Sequence, residues 1–179
     1  MLPHILSPSC MKTAKKQRRR VPLKYMPKRL TKKDKKAQYD MLMKSRKMYK
    51  SNKYYTRKKV PSFKSKTSKH ILNARRIYKV DVVQPTKELS KKTGCSVKAL
   101  NDIVKKGQGA YYSSGSRPNQ TGASWGIARM ASSVTGGKSA AVDFHILEKG
   151  CDHKKKAYKL AVKSRKKHKF GKRKVPKTT

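Results

Sequence analysis

Leu89-Ser90-Lys91-Lys92-Thr93-Gly94-Cys95-Ser96-Val97-Lys98-Ala99-Leu100-Asn101-Asp102-Ile103-Val104 reads as two helices joined by a tight turn. Pro85 and Thr86 open the first, which runs through Lys92 to Gly94; Ser96 caps the second, whose apolar side carries Val97, Leu100, Ile103 and Val104. Helices that cross steeply through a short turn need a small side chain where they touch and a residue tolerant of positive φ between them. Gly94 supplies the tolerant residue.

Outward from this pair, Ile77 to Val83 alternates loosely between apolar and polar, which suits a short strand or an extended linker ending before Pro85. On the other side, Gly107 to Thr121 is dense in Gly, Ser, Pro and Asn and is expected to be a loop. Thr121 or Ser124 then caps a helix bearing Trp125, Ile127, Ala128, Met130, Ala131 and Val134, ended by Gly136-Gly137. Asp143 starts a last short helix with Phe144, Ile146 and Leu147, and Gly150 stops it. The fold class expected is mainly α: a small helical domain over residues 80–151, with Leu89, Leu100, Ile103, Trp125, Ile127, Met130 and Val134 inside. Trp125, the one tryptophan, is its expected anchor.

The charge isolates this segment. Fifty Lys and Arg face eight Asp and Glu over 179 residues, a formal net charge of +42. Residues 1–80 carry +25, residues 81–150 only +5, and residues 151–179 +12. Small soluble domains are comfortable at net charges of roughly 2–8, so this excess calls for a polyanionic partner. With 35% apolar and 7% aromatic residues the chain has too little to pack a core along its whole length. Long extended basic arms are therefore expected at 1–79 and 152–179. One helix is expected within the first, over 31–50, capped by Thr31 with Asp34 behind it, and with Ala37, Met41, Leu42, Ser45, Met48 and Tyr49 on one face.

The candidate polyanion contacts are the basic clusters Lys15, Lys16, Arg18, Arg19 and Arg20; Lys32, Lys33, Lys35 and Lys36; Arg57, Lys58 and Lys59; Arg165, Lys166 and Lys167; and Lys172, Arg173 and Lys174. Tyr25, Tyr39, Tyr49, Tyr54 and Tyr55, interleaved with these cations, either stack on bases or anchor the arm to a protein surface. In the central segment, Lys98 and Lys105 would meet phosphates and Asn101 an adenine edge if the second helix entered a major groove, although Asp102 opposes this. Arg117 and Arg129 either bind phosphate or pair with Asp143 or with helix carbonyls.

Other chemistry is poorly supported. Thr135-Gly136-Gly137-Lys138-Ser139 imitates the end of a phosphate-binding loop but has Ser132 where the first glycine belongs. Cys151-Asp152-His153 has no second ligand pair, and Asp143, His145 and the serines do not make a credible triad. No cofactor, no metal and no enzymatic activity are expected. Cys10, Cys95 and Cys151 are odd in number and far apart, and are expected to be reduced thiols. No apolar run is long enough to span a membrane, and no secretory leader is evident.

Two resemblances add to this. The helix pair resembles the helix-turn-helix of lac-repressor-type regulators. The block from Thr86 to Cys151, about 66 residues, resembles a family of large DNA viruses of algae and protists and of some tailed phages. Its signatures here are the Gly109-Ala110-Tyr111 start, the Ser116-Arg117-Pro118-Asn119-Gln120 loop, the Trp125 to Arg129 helix and Gly136-Gly137-Lys138. That likeness implies a viral source and carries no activity. Together with the charge it implies a non-enzymatic minor capsid or internal virion protein. Such a protein would lie on the inner side of the capsid, and in the host cell during assembly. Its partners would be other capsid proteins and nucleic acid, DNA before RNA, with contact to the headgroups of an internal viral membrane as a further option. A helix-turn-helix regulator or a ribosomal or RNA-binding protein is the alternative.

Overall fold

The computed structural model describes residues 20–171 and 175–178, so the expected contacts of Lys15, Lys16, Arg18, Arg19, Lys172, Arg173 and Lys174 and the expected thiol of Cys10 lie outside the described residues. The class is mainly α, as expected. The helices among the described residues are α1 (Lys32–Lys50), α2 (Lys69–Tyr78), α3 (Lys87–Thr93), α4 (Val97–Ser113), α5 (Gly122–Val134), α6 (Lys138–Val142), α7 (Phe144–Gly150) and α8 (Lys156–Lys167). Local chemistry sets their starts. Thr31, Thr86, Ser96 and Thr121 each accept the backbone N–H three residues on, and at α5 Ser124 returns the bond to Thr121 in a reciprocal capping box. Gly94 ends α3 at φ 75°, the left-handed turn on which the helix pair depends.

The main core is built on α4 lying along α5. Leu89, Leu100, Ile103, Met130, Val134 and Leu147 are fully buried there, and Ala74 and Tyr78 of α2 and Ala157 and Ala161 of α8 close it. Two glycines let α4 and α5 approach: a Cβ on Gly107 would stand 2.6 Å from the Gly126 Cα, and one on Gly126 2.7 Å from the Val104 carbonyl oxygen. This corrects the expected loop. Gly107 serves a helix crossing rather than a turn, so α4 continues to Ser113 before the chain loosens.

Packing does not stop at residue 80. Val21, Tyr25 and Leu42 form a second cluster, and Trp125 belongs to this one, its ring edge-on to Tyr25 with centroids 6.0 Å apart, rather than to the main core. Ile127 is half-buried at the margin of the main core. Leu30, Val60 and Phe63 make a third cluster entirely from the segment expected to have no core. The buried face of α1 is Gln38, Leu42 and Ser45, while Ala37 is exposed. Of the short strand or extended linker expected over 77–83, no strand forms: α2 runs to Tyr78, Lys79 is left-handed, and a linker without regular structure follows.

The C-terminal segment is tied down as well. Leu23 N donates to Pro176 O at 3.0 Å and Thr178 N to Val21 O at 2.8 Å, an antiparallel contact around Pro22 and Lys177. On α8, Ala157, Ala161 and Ser164 are buried, and the Ser164 hydroxyl donates to Gly137 O at 2.8 Å. Cys95 and Cys151 are joined in a disulfide, which corrects the reading of reduced thiols. The residues are 56 apart in sequence but face each other because Ser96 N bonds Gly150 O and Asp152 N bonds Gly94 O.

Gly126→Ala must push α4 off α5 and is expected to cost about 1–3 kcal/mol, lowering Tm by several degrees. Gly109→Ala, on the same helix as Gly107 but with only the Tyr49 hydroxyl 3.6 Å from the added carbon, should leave Tm unchanged or raise it. Thermal melts followed by circular dichroism check this; equal effects would mean the glycine crossing does not set the packing.

Candidate nucleic-acid interface

The structure sorts the predicted cations. Arg20, Lys32, Lys33, Lys36, Lys58, Lys59, Lys98, Lys105, Arg117, Lys166 and Lys167 are exposed, and Lys35, Asn101 and Arg165 half-buried. Arg57 is the exception, 8% exposed. Its guanidinium donates to the Ser45 hydroxyl at 3.2 Å, the Tyr111 carbonyl at 3.0 Å and the Ser116 hydroxyl at 2.7 Å. It lies 3.6 Å from the centre of the Tyr111 ring. Burial lowers its pKa, and no carboxylate is among these partners. Arg57 is a strut tying the extended chain to α1, α4 and the loop after α4, so it is not available to a polyanion.

Arg165 is also engaged, its guanidinium 4.3 Å from the Phe144 ring centre and 5.0 Å from that of Phe170. Arg129 pairs with Asp143 through two bonds of 2.7 Å, joined by Lys106 at 3.3 Å, and the carboxylate is fully buried. The pairing raised for Arg129 is thus its structural one. Among the described residues, no group of three or more His, Cys, Asp and Glu could hold a metal ion. No helix among them is long and apolar enough to cross a membrane.

Two concavities among the described residues bring these cations and aromatic rings together, and neither follows from the sequence pattern. The first, about 270 Å³, is lined by Lys24, Pro27, Arg29, Phe63 and Arg117. Arg29 stacks 4.6 Å from the Phe63 ring centre and donates to Lys64 O, while Lys24 lies over the Tyr25 and Trp125 rings. Burial, then the charges of Arg117, Lys138 and Arg129, lowers the Lys24 pKa. Burial and Arg117 likewise lower that of His70. Three cations therefore converge on one pocket with no acid in its lining, an arrangement that a phosphate oxygen would relieve. Arg117 was legible; Lys24 and Arg29 were single residues between prolines and gave no cluster signal.

The second concavity, about 500 Å³, is lined by Tyr49, Tyr54, Lys105, Gln108, Gly109, Tyr112, Gly122 and Ala123. Asn101, Lys105, Gln108 and Tyr112 recur at helical spacing and share one face of α4. Of the five tyrosines singled out, Tyr25 is buried and anchors the chain, Tyr39 packs on the same cluster, and Lys44 sits over Tyr55; Tyr49 and Tyr54 reach the groove. The α3–α4 turn, by contrast, has another segment packed on it. Its backbone bonds Gly150 and Asp152, and the Lys155 side chain closes on Gly94. A groove-reading helix enters DNA with its N-terminal residues, and here that end of α4 carries a neighbouring segment.

The model of a family of unknown function, DUF5824, matches residues 22–156. The chain belongs to that family. The DUF5824 match takes in both concavities and every residue of the second and third clusters except Val21. No curated protein and no solved structure matches the chain.

Arg57→Ala and Lys58→Ala separate strut from contact. The first strands buried hydroxyl and carbonyl partners and should lower Tm well beyond the second, by a cost of about 3 kcal/mol. The second should leave Tm unchanged and weaken binding to heparin. Thermal melts and a heparin elution profile check both.

Proposed function

We propose that the protein is a non-enzymatic structural protein that binds nucleic acid through its basic surface, and that it does so inside the particle of a large DNA virus. One observation carries the binding: with 50 Lys and Arg against eight Asp and Glu, at least 42 cations have no carboxylate to pair with one-to-one. The fold supports the same reading by using few of them internally and presenting Lys32, Lys33, Lys36, Lys58, Lys59, Lys166 and Lys167 to solvent. Phosphates along a nucleic acid offer these charges their partners, with release of condensed counterions as the driving term. Such contacts read the backbone and carry little sequence information. The virion setting is supported by the viral resemblance of residues 86–151. The regulator reading is disfavoured by the Gly150–Asp152 segment bonded to the α3–α4 turn.

The affinity for duplex DNA should fall steeply with salt, with a log–log slope of about −0.9 per phosphate contact. The triple variant Lys32→Ala, Lys33→Ala, Lys36→Ala should flatten that slope by up to three contacts' worth. A slope near zero would overturn nucleic-acid binding, and absence of the chain from purified particles by mass spectrometry would overturn the virion setting.

A further inference from the structure

We propose that the tyrosine groove takes an unstacked base, so that the protein binds single-stranded nucleic acid more tightly than duplex at equal salt. This deepens the nucleic-acid reading and rests on it. Tyr54 is 69% exposed, yet its ring is held edge-on by two others, with centroids 6.1 Å from Tyr49 and 4.9 Å from Tyr112. The chain that delivers it is fixed too: Asn52 reverses at φ 55°, and Lys53 N donates to Met48 O at 2.9 Å. A large ring held in place but left in water is a presented surface, the form in which aromatic side chains stack on bases.

The floor and rim fit the same ligand. Gly109 and Gly122 put no side chain into the groove. The packing does not require glycine at Gly109, where an added Cβ would make ordinary contact with the Tyr49 hydroxyl at 3.6 Å. A glycine inside a helix costs about 0.5–1 kcal/mol relative to alanine, so an open floor is obtained at some expense of stability. At the rim, Lys105 offers an ammonium to a phosphate. The Gln108 side chain, half-buried at the groove, offers both a donor and an acceptor to a base edge. No acid lines the space. Bases in a duplex are stacked and paired and cannot enter; those of a single strand can splay into it.

The test is fluorescence anisotropy of the full-length chain with labelled oligothymidine, oligouridine, duplex DNA and heparin at one salt concentration. Wild type should prefer the two single strands. Tyr54→Ala should weaken them by roughly 5- to 150-fold, the span of base–aromatic stacking, with duplex and heparin unchanged. Tyr54→Phe should keep the preference. The exposed ring can be removed without unfolding the core, and a melting curve confirms that. Oligothymidine against oligouridine tells whether DNA or RNA is the source, and a preference for either over duplex supports the site. Equal loss on heparin, or no loss on single strands, overturns it. Wild-type failure to bind any of the four overturns instead the nucleic-acid reading beneath it.

Discussion

Eight carboxylates for fifty cations is the constraint to which the structure answers. In an ordinary domain a buried or half-buried arginine finds an acid, and here almost none is available. The cations that enter the fold are satisfied by carbonyl oxygens and aromatic faces instead. Arg46 donates twice to Ser114 O, and Arg57 combines a carbonyl, two hydroxyls and the Tyr111 ring. Arg165 lies over Phe144 and Phe170. Guanidinium suits this role because it is weakly hydrated and planar. The fully buried carboxylate of Asp143 is spent on Arg129 and Lys106 at the centre of the helical body.

That solution explains why a chain with so little apolar content packs beyond its central domain. Residues 20–68 wrap the helices using small clusters nailed down by polar side chains. Asn119, at φ 57°, accepts from Val60 N and donates to Val60 O and Phe63 O, and the Asp34 carboxylate accepts from Ser62 N. Gln38 bridges Tyr25 O and Ser116 O. The disulfide at Cys95 and Cys151 adds a covalent closure where two backbone hydrogen bonds already join the α3–α4 turn to the α7–α8 junction. The same shortage of acids leaves the outer cations, the Lys24, Arg29 and Arg117 pocket and the rim of the tyrosine groove facing water with their charge uncompensated.

What was legible in the sequence is what neighbouring residues decide. The caps at Thr31, Thr86 and Ser96 and the left-handed Gly94 act over three or four positions, and each stands where its spacing put it; at α5, where Thr121 and Ser124 were both open, Thr121 is the cap and Ser124 its reciprocal partner. Features that depend on distant partners were not legible. Gly107 looked like a loop residue because its reason, Gly126, lies 19 positions on and on another helix. Trp125 looked like the centre of the core because nothing local showed that Tyr25 would come to meet it. Cys95 and Cys151 looked unpaired for the same reason. Of the candidate site, the exposed lysines followed from charge alone, whereas Arg57 was misassigned because a basic run does not say which of its members turns inward. The groove draws on α1, the chain after it, α4 and the start of α5, a set that becomes visible once the crossing of α4 and α5 is known.

The central claim is that the folded protein holds an excess of cations awaiting phosphates, and the most direct measurement is its melting temperature as inorganic polyphosphate is titrated in at low salt. A ligand that binds the folded surface raises Tm as its concentration passes its dissociation constant. A saturable rise in Tm, abolished when salt is added to screen the charges, is expected. An unchanged or lowered Tm across the titration would contradict it.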